Sequence, residues 1–246
     1  MLDIRMKDEN TSWQEWYEEN PRLRRQGVGV RGLTQCVGIN DLDHVTLIKL
    51  DGALIYKCKY HTTWTSMLNR CYSSKWVDTY PSYAHVTVAE EFKRASSFKS
   101  WMETQITEDC SGALQLDKDI LYPGNKEYSP TTCAFVPQFL NMSLNICERG
   151  SGSMPKGVYS YTLKRGEVRY SWQVEAASGK LGKGGLTCKW EAHKEWQLAR
   201  ASVIEQAIEK YKLMDCYRED VAYAVKARAD KLRYDAKFGL ETTRLP

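Results

Sequence analysis

The stretch from Gly112 to Asn141, GALQLDKDILYPGNKEYSPTTCAFVPQFLN, gathers acid, amine, amide and turn residues more densely than any other part of the chain. Its apolar run Ala113, Leu114, Leu116 ends in Asp117, Lys118 and Asp119, two carboxylates flanking an amine. Carboxylates are hard oxygen donors and an ammonium answers an anion, so such a run is not composed for packing. A Pro123-Gly124-Asn125 turn follows, then Tyr128-Ser129-Pro130, then the apolar run Cys133 to Val136. Pro-Gly-Asn punctuates turns, and the residue before a proline is pushed out of helical backbone. The order predicts strand, loaded turn, strand and helix start.

The elements around this turn must position it. Thr11-Ser12 followed by Glu15 is a helix-capping pattern, and Trp13, Trp16 and Tyr17 then fall on one side of a short helix. These aromatics either cover the chain's own core or wait for a partner. Arg22, Arg24 and Arg25 form a basic elbow after it. Alternation over Val45 to Leu50 and Ala53 to Tyr56 predicts a β-hairpin closed by Asp51-Gly52. In HTTWTSMLNRCY, a threonine caps a helix whose Trp64, Met67, Leu68 and Cys71 recur at helical spacing, with Arg70 beside the buried edge. A polar, aromatic loop from Ser73 to Tyr83, a short strand around Val86 and Val88, and a helix capped by Ser96/Ser97 follow. That last helix turns Phe98, Trp101 and Met102 inward.

After Asn141 the composition shifts, and Glu148 to Ser153 reads as a polar linker. Three short strands, about Gly157 to Tyr161, Val168 to Ala176 and Lys180 to Thr187, precede a long helix from about Trp190. Its stripe is Ala192, Trp196, Ala199, Val203, Ala207 and Tyr211. Beyond Leu213 the pattern stays helical until Gly239, with Val221, Val225 and Leu232 among many charges, a solvated mixed-charge tail.

At 246 residues, with 35 Lys+Arg against 31 Asp+Glu, the chain is only mildly basic and long enough for two domains. The charge is unevenly placed: from Arg149 to Arg200 stand ten Lys/Arg and four Asp/Glu, a footprint for phosphates. The charged opening residues leave no apolar core for a signal peptide, and no run approaches a membrane span. A soluble, intracellular protein is expected. The eight cysteines include no CxxC pair, so free and mostly buried thiols are expected. Cys58, His61, Cys71 and His85 are spaced too widely for a zinc finger, and structural zinc is not expected.

Several ordered blocks resemble phage-encoded HNH-type endonucleases, homing-like enzymes with a second domain similar to the DNA-binding domain of plant ethylene-response factors. The blocks are TTWTSMLNRCYS, Tyr83 to Val88 with AEEF and FKSWM behind it, LDKDIL, GNKEYSP, CAFVP and Asn141. In the second module they are GVY at 157, the basic hairpin through Trp172, and the EAHKEW run at 191. The resemblance implies an HNH-like ββα-type domain in which a histidine activates water while an acid and a second His or Asn hold one divalent metal. Here Lys118 stands where the first histidine would be. Lysine is protonated near neutral pH, so it would pair with phosphate rather than take a proton. His85, or water on the metal, is left as the base. Asp117 and Asp119 would be oxygen ligands for Mg2+ or Mn2+, with Asn125 and Asn141 completing the site and Arg70 reaching the phosphate. The alternative is that Asp117 holds a backbone turn, Asp119 forms a salt bridge, and Arg70 is an internal ion pair.

In the ethylene-response-factor-like module the resemblance implies that the sheet enters the major groove of double-stranded DNA while the helix packs behind it. Strand alternation divides the central strand. Val168, Tyr170, Trp172 and Val174 are expected on the helix, while Arg169, Ser171 and Gln173 face DNA with Lys164, Arg165, Lys180 and Lys183. A basic, solvated hairpin is the alternative.

The expected whole is an α+β protein: an arm over 1–26, an HNH-like nuclease domain over 27–147, a linker over 148–153, a DNA-binding domain over 154–213 and a helical tail over 214–246. The expected function is metal-dependent DNA cleavage. The alternative is a catalytically lapsed HNH-like protein with a DNA-binding or regulatory role, or a host-protein contact through the Trp13/Trp16 helix.

Overall fold

The computed structural model describes residues 10–19, 33–50, 52–106, 114–144, 154–176 and 179–245. The expected linker at 148–153, the basic elbow Arg22 to Arg25 and Asp51 lie outside these residues. In chain order the elements are α1 (Trp13–Glu19), β1 (Leu47–Leu50), β2 (Ala53–Lys57), α2 (Lys59–Tyr72), α3 (Ser74–Thr79), β3 (Thr87–Val88), α4 (Glu90–Lys93) and α5 (Ala95–Gln105). Then come β4 (Leu114–Asp117), β5 (Glu127–Tyr128), β6 (Ala134–Pro137), α6 (Gln138–Leu144), β7 (Val158–Thr162), β8 (Val168–Ala176), β9 (Gly179–Leu186), α7 (Lys189–Tyr211) and α8 (Glu219–Phe238). The protein is α+β, with small sheets and several helices. Among the described residues no helix is long and apolar enough to cross a membrane.

The chain divides into two compact units, 1–105 with 126–132, and 106–125 with 133–246. In the first, α1 opens with the reciprocal cap: Glu15 N–H donates to Ser12 Oγ and Ser12 N–H to Glu15 Oε2. Trp16 is buried against Ile48, Val45, Ile55 and Tyr56 of the β1–β2 hairpin, so it covers the chain's own core and is not held out for a partner. Helix α2 begins earlier than the sequence suggested, with Cys58 rather than a threonine at its N-cap. Trp64, Met67 and Leu68 are buried as expected, and Trp64 Nε1 donates to the Phe92 carbonyl at 2.8 Å. A Cβ at Gly38 would meet Leu68 at 2.3 Å, which explains a glycine at that close approach. Part of the expected loop from Ser73 is α3. Helix α5 is capped from a distance: Asp41, not Ser97, accepts from both the N–H and the hydroxyl of Ser96. Phe98 and Met102 are buried, with Phe98 edge-on to Phe92 at 5.1 Å. Parallel pairing of β3 with β5 sets Val88 beside Tyr128.

The second unit begins with β4 antiparallel to β6 in the register Leu116↔Phe135 and Asp117↔Ala134, and β6 runs straight into α6. Ala134, Val136 and Leu140 join Ile120, Trp196, Ile204, Ile208, Val225 and Leu232 in one apolar core. That packing ties the loaded turn and the long helices into one body. Strands β7, β8 and β9 form an antiparallel meander near the predicted ranges, with α7 on one face. Helix α7 is buried more widely than its predicted stripe because α8 covers a second side. The expected solvated tail is therefore wrong: Val221, Val225, Ala229, Leu232 and Ala236 of α8 are all buried. Most of its charges sit on the outward face, which is what the mixed composition reflected, while Arg228 and Asp235 are buried. Gly239, at φ 66, supplies the predicted stop. Six described cysteines are thiols, of which Cys58, Cys71, Cys133 and Cys216 are buried.

Candidate functional site

The loaded turn forms at the end of β4, where the strand stops because Asp117 turns its side chain back on the chain. Asp117 Oδ1 accepts from the N–H groups of Asp119 at 2.9 Å and Ile120 at 2.7 Å. This is the Asx-type turn that aspartate favours. Lys118 points the other way and is buried. Its Nζ donates to the Asn125 carbonyl and pairs with Asp119 Oδ2, both at 3.1 Å, while Asn125 Nδ2 donates back to the Lys118 carbonyl at 2.7 Å. Lys118 and Asn125 thus clamp the ends of the loop to each other. Their polar groups serve the loop's shape, the structural alternative left open for Asp119 as well.

What remains is an open cleft of about 210 Å³ lined by Asp117, Asp119, Ile120, Pro123, Gly124, Asn141, Leu144, Arg228 and Leu245. Two carboxylates, an amide and a guanidinium converge there. Asn141 donates through Nδ2 to Gln115 Oε1 at 2.8 Å, which leaves its own oxygen as an acceptor. Arg228, buried on α8, donates to the carbonyls of Ile120 at 2.8 Å, Ala224 at 2.8 Å and Asp119 at 3.0 Å. Three of the five guanidinium donors are so engaged. The charge is thereby fixed behind the carboxylates.

Electrostatics mark the pair. Burial, then the neighbouring Asp119 charge, push the Asp117 carboxyl up to about 6. Burial holds Arg228 below its ordinary value, against the opposing pull of Asp117 and Asp119. Among the described residues no cluster of three or more His, Cys, Asp or Glu is assembled. An all-oxygen set of two carboxylates and an amide nevertheless fits Mg2+ or Mn2+, which keep several waters and take few protein ligands. A cation between the two acids would also relieve their repulsion.

Of the expected catalytic residues, Asp117 and Asp119 meet at the cleft with Asn141, while Lys118 and Asn125 are turned into the loop. His85 and Arg70 belong to the other unit. His85 is exposed in a left-handed turn at φ 66 rather than on a strand. Arg70 NH1 lies 3.5 Å from the hydroxyl of Tyr128, whose pKa burial pushes above its ordinary value. Arg228 was missed. It stood in plain view, three residues after Val225 and four before Leu232, on the helix's apolar stripe where a bare charge needs a reason.

In the β7–β9 module the alternation holds for most of β8. Tyr170 and Trp172 pack toward α7 with Val158, Leu186 and Ala192, and Trp172 Nε1 donates to Glu195 Oε2 at 2.8 Å. Val174 is buried too. Val168, at 48% exposed, is the exception. Ser171 and Gln173 lie on the open face with Arg169, whose NH2 pairs with Glu167 Oε1 at 2.6 Å. Lys183 does not face outward with them: it sits opposite Trp172 and its Nζ reaches Glu195 Oε1 at 2.5 Å. Lys180 stands opposite Glu175, and Lys164 and Arg165 are exposed in the β7–β8 turn.

No protein-family model, no curated protein and no solved structure matches the chain.

Proposed function

We propose that this protein is a divalent-metal-dependent DNA endonuclease of HNH type, with its reaction centre in the cleft of Asp117, Asp119, Asn141 and Arg228. One observation carries the reading: β4 and β6 pair antiparallel and β6 runs directly into α6. This ββα order brings two acids at a strand end to one cleft with an amide on the helix. A bound divalent ion would supply a water of lowered pKa and positive charge at the departing oxygen. Asp117 and Asp119 would hold that ion and Asn141 would add a neutral oxygen. Arg228, fixed by three carbonyls, directs its remaining N–H donors to a phosphate oxygen. The second module holds the DNA, with Lys164 and Arg165 on phosphates.

The second reading, a DNA-binding protein built on a lapsed nuclease fold, draws on a specific observation. Among the described residues no histidine lines the cleft, and the amine at the expected histidine position is tied to Asn125 and Asp119. A plasmid-nicking time course with Mg2+ or Mn2+ separates the two. Nicking by the native protein, lost in Asp117→Ala and Asn141→Ala while DNA binding persists, supports the nuclease. Salt-sensitive binding with no nicking in either metal refutes it in favour of the binding protein.

A further inference from the structure

Tyr161 on the edge strand β7 does not stand away from its sheet. It pairs with Arg169 on β8, yet its hydroxyl accepts the Gly185 N–H on β9, two strands away, at 2.9 Å. Adjacent strands lie about 4.8 Å apart, so only a side chain laid across β8 reaches that far. Glycine makes this possible. A Cβ at Gly184 would come to 3.5 Å from the phenol oxygen, and Gly185 itself takes φ 81. The ring is 41% exposed, tethered at its far end and supported from below. It is an immobilised π surface facing outward.

Two residues earlier Tyr159, 42% exposed, shares the face. Beside it opens a cleft of about 310 Å³ whose walls include Ser171, Gln173, Lys180 and Gly182. Gly182 is required there, since a Cβ would meet the Trp172 carbonyl oxygen at 2.7 Å. Same-face residues on a strand are roughly 7 Å apart, a step that suits successive bases of an extended strand. Two of the cations of this sheet, by contrast, are engaged: Arg169 with Glu167 and Lys183 with Glu195. Duplex binding draws chiefly on uncommitted positive charge, whereas single strands are held by stacking on aromatic rings beside modest charge.

We propose that the open face of β7–β9 binds an unpaired DNA strand. One base stacks on the Tyr161 ring and its neighbour lodges at Tyr159, where Ser171 and Gln173 meet the base edge and Lys180 the backbone. This rests on the preceding reading only for the choice of deoxynucleotides; the strandedness is independent of any cleavage chemistry. The test is fluorescence anisotropy on the full chain in EDTA. The probes are a labelled single strand of about twelve nucleotides, its duplex, the same strand with abasic positions, and the RNA equivalent. The DNA single strand is expected to bind more tightly than the duplex. Tyr161→Ala, with a native circular dichroism spectrum, should weaken it by roughly 5- to 150-fold, and abasic positions should abolish that difference. Tyr161→Phe keeps the ring without its tether and should lose less. A duplex bound as tightly as the single strand, or a folded Tyr161→Ala that binds like the native protein, overturns the platform while leaving the nuclease to its nicking assay. RNA bound more tightly than DNA overturns the assignment of the ligand, and no binding to any probe overturns both DNA readings.

Discussion

Replacing Asp117 by asparagine should stabilise the protein near neutral pH, and only there. In the folded chain its carboxyl is raised from 3.8 to about 6 by burial and by the charge of Asp119. The unfolded chain therefore releases this proton first as pH rises. The contribution of Asp117 to stability is complete below pH 3.8, is lost between there and about 6, and stays lost above. The full shift corresponds to about 3 kcal/mol, and the open cleft screens part of it, so about 1–3 kcal/mol is expected. Asparagine keeps the turn, because its oxygen accepts from the Asp119 and Ile120 N–H groups as the carboxylate does, and its amide NH2 can donate toward Asp119. Thermal melts of the native protein and Asp117→Asn in EDTA, from pH 4 to 8, give the answer. The variant should melt roughly 3–10 °C higher at pH 7.5 and together with the native protein at pH 4. Mn2+ should then raise the native melting temperature and leave the variant unmoved. An unchanged or lowered melting temperature at pH 7.5, or a gain independent of pH, would refute the electrostatic reasoning.

Arg228→Ala should lower unfolding stability by about 3 kcal/mol in urea, since three carbonyl oxygens lose a buried charged donor. Lys118→Met should cost about 2 kcal/mol by freeing the loop from Asn125, while leaving DNA affinity in a filter-binding assay within about two-fold. Gly157→Ala should destabilise by more than about 2 kcal/mol in the same urea titration, because the residue sits at φ 76 and its Cβ would fall 2.1 Å from the Trp196 ring. Thr242→Val removes the hydroxyl that donates to Asp235 Oδ2 at 2.6 Å and should cost about 1–3 kcal/mol.

Local signals carried far in this chain where the physics was local. The Ser12/Glu15 cap, the hairpin ending at Gly52, the β7–β9 meander and the stop at Gly239 all follow from side-chain chemistry within a few residues. The strand-turn-strand-helix order around Asp117 was legible for the same reason. What was hidden depends on contacts between distant segments. The cap of α5 comes from Asp41, and neither residue's neighbours announce it. The burial of α8 depends on α7, so its charges suggested solvent although Val221, Val225 and Leu232 already marked a stripe. Lys118 is the instructive case. Sequence position set it beside two acids as a phosphate partner, whereas the loop's return through Asn125 draws the amine inward.

The contrast among carboxylates sharpens the case for chemistry at the cleft. Asp41, Asp43, Glu103, Glu195, Glu205 and Asp220 are all held below their ordinary values, each with a hydrogen-bonding partner as a cause. Asp235, fully buried, is met by Lys231 and Thr242. Among the described carboxylates with a shift, Asp117 alone is moved upward. The fold uses this residue as a turn acceptor through Oδ1, a task asparagine performs equally well. The turn's N–H groups favour its negative charge, but burial and the Asp119 charge outweigh them, so on balance the charge opposes folding near neutral pH. A charge that the structure does not need, set against a second acid in a cleft with a buried arginine behind it, is the arrangement expected where function rather than stability sets the residue. A cation of the right size is what would turn that repulsion into binding.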